Sequence, residues 1–80
     1  MTAEILSAVQ GLVARIAKIP PPDADGDMYS AGLKSVDALE LLLEVEDAFG
    51  VAIPDDRFVA VRSCRELTAL IGELATGKVS

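Results

Sequence analysis

From Val36 to Phe49 apolar residues recur every three or four positions, and acidic residues recur at the same interval on another side. A run of that period buries one face as a helix, whereas a strand would need strict alternation. Leu39, Leu42, Leu43 and Phe49 are expected to form the buried stripe, with Leu41, Val45 and Ala48 widening it. Asp37, Glu40, Glu44 and Asp47 step by three or four, so they share a face away from Leu39 and Leu43. Ser35 stands at the start, where its side-chain oxygen can cap the helix by accepting from free N–H groups of the first turn. Gly50 stops the helix and Pro54 prevents an early restart. The remaining chain is organised around this stretch, Gly32 to Pro54.

Two more segments carry the helical period. Thr2 to Ile19 places Ile5, Leu6, Val9, Leu12, Val13 and Ile16 on one stripe, with Glu4 near the start and Arg15 and Lys18 near the end to suit the helix dipole. Gly11 inside it costs about 1 kcal/mol relative to Ala, for which close approach by another helix is one compensation. Pro20-Pro21-Pro22 ends this helix. The last helix begins at Ser63, whose spacing to Glu66 makes an S-x-x-E capping box. Leu67, Leu70, Ile71 and Leu74 form its stripe, and Gly77 is expected to end it before a frayed tail. Between the second and last helices, Val51-Ala52-Ile53 is an extended apolar connector, and Asp55 or Asp56 could cap a short helix through Arg57, Phe58 and Val59. The expected fold is all-α: a small four-helix bundle of three main helices and one short one, forming a single domain over residues 1–80.

The core must be aliphatic, because 51% of the 80 residues are hydrophobic yet the aromatics are only Tyr29, Phe49 and Phe58. Thirteen acidic against seven basic residues argue against nucleic-acid binding, which needs Lys and Arg to neutralise phosphates. The same balance suits docking onto basic patches of protein partners. The lone Cys64 excludes an internal disulfide and a multi-cysteine metal site. With no signal-like opening and no apolar run of membrane-spanning length, the chain is expected to be a soluble cytoplasmic protein, and one small domain gives no reason to expect anything larger than a monomer.

Catalysis is not expected from this chain. There is no histidine, Ser35 has no evident general base, and the Gly-x-x-Ser here lacks the second glycine of a hydrolase nucleophile elbow. Glu46 falls nearer the apolar stripe than the other acids and is a candidate to brace a loop. Asp23-Ala24-Asp25-Gly26-Asp27 has the opening acidic spacing of an EF-hand loop, but Met28 and Lys34 then occupy the places that need Gly and a bidentate Glu. The plainer reading of residues 23–34 is a solvated acidic loop pinned to the core by Met28, Tyr29 and Leu33.

Met28-Tyr29, Gly32-Leu33-Lys34-Ser35-Val36, Glu40-Leu41, Glu46-Asp47-Ala48-Phe49-Gly50 and Ile53-Pro54-Asp55 together resemble the core of the acyl and peptidyl carrier proteins. The resemblance is detailed over the middle third of the chain and extends elsewhere to length and helix count. It implies that Ser35 carries a 4'-phosphopantetheine arm, joined through a phosphodiester by a phosphopantetheinyl transferase. The arm's thiol would hold an acyl or aminoacyl group as a thioester. An acyl- or amino-acid-activating ligase and downstream synthase or transferase enzymes would do the chemistry of fatty acid, polyketide or nonribosomal peptide biosynthesis. By the same resemblance Lys34, Val36, Asp37, Glu40, Glu44 and Asp47 form the docking face.

Lys34 stands where acyl carriers usually have Asp, Val36 where they have Leu, and Ala31 where many have Leu. These departures point to a discrete carrier in a specialised pathway rather than a housekeeping fatty-acid carrier. Two alternatives remain open at this level: an unmodified helical interaction module in which Ser35 is only a cap, and a small calcium-binding protein using the Asp23 to Asp27 loop. Ser35→Ala would separate the first from the carrier reading, at a cost of about 1 kcal/mol in helix stability.

Overall fold

A computed structural model describes residues 2–75, and among them every regular element is helical. The order is α1 (Thr2–Ala17), α2 (Met28–Ala31), α3 (Ser35–Phe49), α4 (Asp55–Ala60) and α5 (Cys64–Ala75). The arrangement is the expected bundle with one additional helical turn, α2, inside the segment read as loop. Asp27 creates that turn, its carboxylate accepting from the N–H groups of Tyr29 at 2.8 Å and Ser30 at 3.3 Å.

The α1 helix packs against both α3 and α5. Its Val9, Val13 and Ile16 meet Leu41 and Val45 of α3 and Cys64, Leu67, Leu70 and Ile71 of α5 in one core. Met28 of α2, Phe58 of α4, and Leu33 and Ile53 of the connecting segments close that core. Leu33 and Met28 pin the 23–34 segment as expected, with Tyr29 half-buried beside them. Ile53 plugs the bundle, while Ala52 of the same connector faces solvent.

The buried face of α3 differs from the expected stripe. Leu41 and Val45 are fully buried and Ala38, Leu42 and Phe49 pack beside them, whereas Leu39 and Leu43 are 61% and 58% exposed. Ala48 is exposed as well. Positions 38, 41, 42, 45 and 49 make a continuous helical face, and a stripe centred on Leu39 and Leu43 overlooked the small Ala38 that completes it.

Helix ends follow the local chemistry more closely than the proline pattern. The α1 helix stops at Ala17, two residues before the expected Ile19, because Lys18 turns left-handed at φ 58°. The Ile19 N–H then reaches back to the Ala14 carbonyl at 3.1 Å, the six-to-one bond of a Schellman ending. Gly50 closes α3 in the left-handed region at φ 65°, its N–H donating to the Glu46 carbonyl at 2.9 Å. The Glu46 carboxylate accepts from the Ile53 N–H at 2.9 Å, so it braces the connector as anticipated. At α5 the capping box forms: Glu66 N–H donates to Ser63 Oγ at 3.1 Å and Ser63 N–H to Glu66 Oε1 at 3.2 Å. The short α4 is not capped by Asp55 or Asp56. They are its first helical residues, and Pro54 is the cap position, its carbonyl accepting from Arg57 and Phe58. The expected stop at Gly77 lies outside the described residues.

Two helical positions, one exposed and one buried, carry stability predictions. A Cβ at Gly11 would meet nothing within 4 Å, so close helix approach does not account for this glycine. Gly11→Ala is therefore expected to stabilise the fold by about 1 kcal/mol, read as a higher urea midpoint. Thr68 is 3% exposed and its hydroxyl has no hydrogen-bond partner among the described residues. Thr68→Val removes a buried unsatisfied group and is expected to gain about 1 kcal/mol in the same measurement.

Candidate functional site

The α3 helix begins one residue earlier in its capping than expected. Lys34 occupies the N-cap position, with extended backbone at φ −99° and ψ 166°, and Ser35 is the first helical residue. An ammonium group cannot accept a hydrogen bond, so the capping is one-sided: the Asp37 carboxylate accepts from the Lys34 N–H at 3.1 Å. Ser35 is thereby released from capping. Its side chain is exposed, and its hydroxyl has no hydrogen-bond partner among the described residues.

The turn that presents Ser35 is tightly determined. Gly32 adopts φ 132°, a conformation open only to glycine, and a Cβ there would lie 2.9 Å from Ile19 Cγ2. The Gly32 N–H donates to Tyr29 O at 3.2 Å and the Leu33 N–H to Met28 O at 3.0 Å. Leu33 is 3% exposed, so it anchors the backbone one residue before the cap. The Ser35 hydroxyl therefore projects from a fixed backbone at a helix start, where the unsatisfied N–H groups and the positive end of the helix dipole favour an anion.

Beyond Ser35, the side of α3 opposite the core carries Val36, Leu39, Glu40, Leu43 and Asp47, all exposed. The four acids anticipated on this helix separate by role. Asp37 holds the Lys34 N–H, and Glu44 accepts from Arg15 Nη2 at 3.3 Å. Glu40 and Asp47 have no such partner among the described residues and flank the exposed apolar residues. Leu39 and Leu43 are surface residues beside Glu40 and Asp47, so the expectation that the acids face away from Leu39 and Leu43 does not hold; the acids lie away from Leu41, Leu42 and Val45 instead.

All four described arginines face carboxylates: Arg15–Glu44, Arg57–Glu73, Arg62–Asp27 and Arg65–Asp25. Two of these pairs remove the calcium reading, since Asp25 and Asp27 are bound to Arg65 and Arg62 at 2.6 and 2.7 Å and Asp23 accepts from the Asp25 N–H. Lys34 has no such partner among the described residues, which leaves its positive charge beside Ser35 available to an anion.

Cys64, the chain's lone thiol, is fully buried, and burial pushes its pKa up to about 11 from an ordinary 9.0. In the folded chain it is expected to resist a thiol reagent at pH 8 and to react only on denaturation. The unfolded thiol ionises near pH 9 and the folded one near 11. Stability is thus expected to fall as pH rises across that window, because the unfolded state releases the proton first. A Cys64→Ala chain should lose that decline.

The described residues form an all-helical bundle in which the exposed Ser35 opens the acidic helix α3. The chain belongs to the family described as phosphopantetheine attachment site, whose model matches residues 7–71. It is similar to the aminoacyl carrier protein of Agrobacterium fabrum, with 26% identity over 74 residues covering 81% of this chain and 89% of the relative. It is also similar to the mitochondrial acyl carrier protein of Dictyostelium discoideum, 30% identical over 77 residues and covering 94% of this chain but 64% of the relative. The crystal structure of an acyl carrier protein from Thermotoga maritima shares the fold, with a TM-score of 0.79 at 16% identity over 94% of this chain and 91% of that one. As a member of the family the chain is a carrier rather than a catalyst. The family's prosthetic group is covalent 4'-phosphopantetheine, and its domains work with partner enzymes. Among the described residues no helix is long and apolar enough to cross a membrane.

Proposed function

We propose that Ser35 is the attachment residue and that the chain is a cytoplasmic carrier of thioester-linked acyl or aminoacyl groups. The observation that carries this is the Ser35 hydroxyl: exposed, without a hydrogen-bond partner among the described residues, and held at the start of α3 by the Leu33 anchor and the Lys34–Asp37 cap. In loading, the Ser35 oxygen bonds to the pantetheine-side phosphorus of coenzyme A. The bond from that phosphorus to the bridging oxygen breaks, the nucleotide bisphosphate leaves with the electron pair, and the hydroxyl proton passes to a base of a phosphopantetheinyl transferase. The phosphodiester so formed sits against the first-turn N–H groups, with Lys34 beside it as a cation. The arm supplies a thiol that holds the cargo as a thioester.

Val36, Leu39, Leu43, Glu40 and Asp47 are the surface on which the transferase and the ligase and synthase enzymes dock. Exposed apolar side chains supply contact area, and Glu40 and Asp47 steer basic partners. Asp37 and Glu44 contribute charge to that field while serving the fold. Lys34 reverses the charge usual beside this serine in acyl carriers, and so narrows the transferases that accept the chain. The experiment is intact-protein mass after incubation with coenzyme A and a broad-specificity phosphopantetheinyl transferase. A gain of one phosphopantetheinyl group is expected, together with one reagent-accessible thiol at pH 8. A chain that gains no mass with several transferases would instead be an unmodified interaction module.

A further inference from the structure

Resting on the reading of Ser35 as the attachment residue, we propose that Arg62 is a positioning residue for loading: from the corner between α4 and α5 it holds the turn that presents Ser35. Arg62 meets α2 in three ways. Its Nε donates to Asp27 Oδ2 at 2.7 Å. Its backbone carbonyl accepts the Met28 N–H at 2.8 Å. Its guanidinium carbon lies 4.8 Å from the centre of the Tyr29 ring, a cation over an aromatic face. The other oxygen of Asp27 caps α2 through the N–H groups of Tyr29 and Ser30. One carboxylate thus joins the corner to the start of the helical turn, and the Arg62 hydrogen bond holds Asp27 below the usual carboxylate range.

A single helical turn has no stability of its own, so α2 takes its orientation from what grips it. Its far end passes that orientation on through short links. Met28 O and Tyr29 O accept from Leu33 and Gly32, Leu33 is buried, and the Lys34 N–H is fixed by Asp37 immediately before Ser35. Every step from Arg62 to Ser35 is a hydrogen bond or a covalent neighbour. An exposed ion pair of this kind contributes little to stability. Its effect on a transfer reaction is larger, because misplacing a reacting atom by about 1 Å can cost about a hundredfold in rate. Arg65 provides the internal control. It pairs with Asp25 at 2.6 Å and its N–H donates to Ala24 O at 2.9 Å, upstream of Asp27 and without touching α2.

The test is steady-state loading from coenzyme A by a broad-specificity phosphopantetheinyl transferase, with the carrier as varied substrate and the temperature well below unfolding of every variant. Arg62→Ala is expected to lower kcat about tenfold, with KM nearly unchanged because the exposed face of α3 is untouched. Arg65→Ala is expected to load at the wild-type kcat while losing a comparable amount of thermal stability. Arg62→Lys keeps the charge without the planar Nε donor; it should show a smaller fall in kcat, and it reads the same effect if Arg62→Ala folds poorly. Wild-type kcat in both Arg62 variants, or an equal fall in Arg65→Ala, would overturn the inference while leaving the Ser35 reading intact. A wild-type chain that takes no group from coenzyme A overturns the Ser35 reading, and the positioning role with it.

Discussion

Ser35→Ala is expected to abolish loading completely while leaving the fold within about 0.5 kcal/mol of wild type. The first part follows from chemistry, since alanine offers no oxygen for the phosphodiester. The second follows from the position of Ser35 inside the first turn of α3. A capping serine would cost about 1 kcal/mol on removal, and that was the expectation from sequence. Here Lys34 is the cap residue and Asp37 accepts the bond that secures it, and the Ser35 side chain makes no hydrogen bond among the described residues. A mass spectrum without the added group, beside an unchanged urea midpoint, is the predicted pair of results. A midpoint lowered by the full cost of a cap would show that Ser35 does hold the helix start.

Leu41→Ala is expected to destabilise the chain by about 2–5 kcal/mol, and Leu43→Ala by less than about 0.5 kcal/mol. Leu41 is fully buried in the core that α3 shares with α1 and α5, so truncation removes apolar burial and opens a cavity. Leu43 sits two positions on, yet it is 58% exposed on the opposite side. Against a total stability of about 5–15 kcal/mol for a domain, with a small core near the lower end, the Leu41 change threatens folding outright. Urea denaturation followed by helical circular dichroism measures both. The reverse order, with Leu43→Ala the costly change, would mean that α3 is rotated relative to the core. The same Leu43→Ala chain should load less efficiently through a raised KM, as befits a docking residue.

Period and punctuation made much of this architecture readable in advance. The stripes of α1 and α5, the Ser63–Glu66 capping box, the Gly50 stop and the brace by Glu46 all depend on neighbours a few residues away, and local pattern carries them. What stayed hidden depends on distant partners. The α2 turn exists because Asp27 caps it and Arg62 grips it from the other end of the chain, a pairing that no window of sequence contains. The orientation of α3 was ambiguous because leucine occupies 39, 41, 42 and 43, and only packing against α1 and α5 selects among them. Lys34 as cap was hidden for another reason: its backbone N–H donates to the Asp37 carboxylate, and any residue type at position 34 other than proline could provide that donor. The serine itself was legible through its neighbours, Gly32 and Leu33 before it and the acidic helix after it. Its freedom from capping was not.

The most direct measurement is peptide mapping of the loaded wild-type chain. Trypsin cutting after Lys34 and Arg57 releases residues 35–57, a peptide whose only hydroxyl is that of Ser35 and which contains no thiol. The account predicts that one phosphopantetheinyl group travels with this peptide. The group on a peptide bearing Ser7, Ser30 or Ser63 instead, with residues 35–57 unmodified, would contradict it.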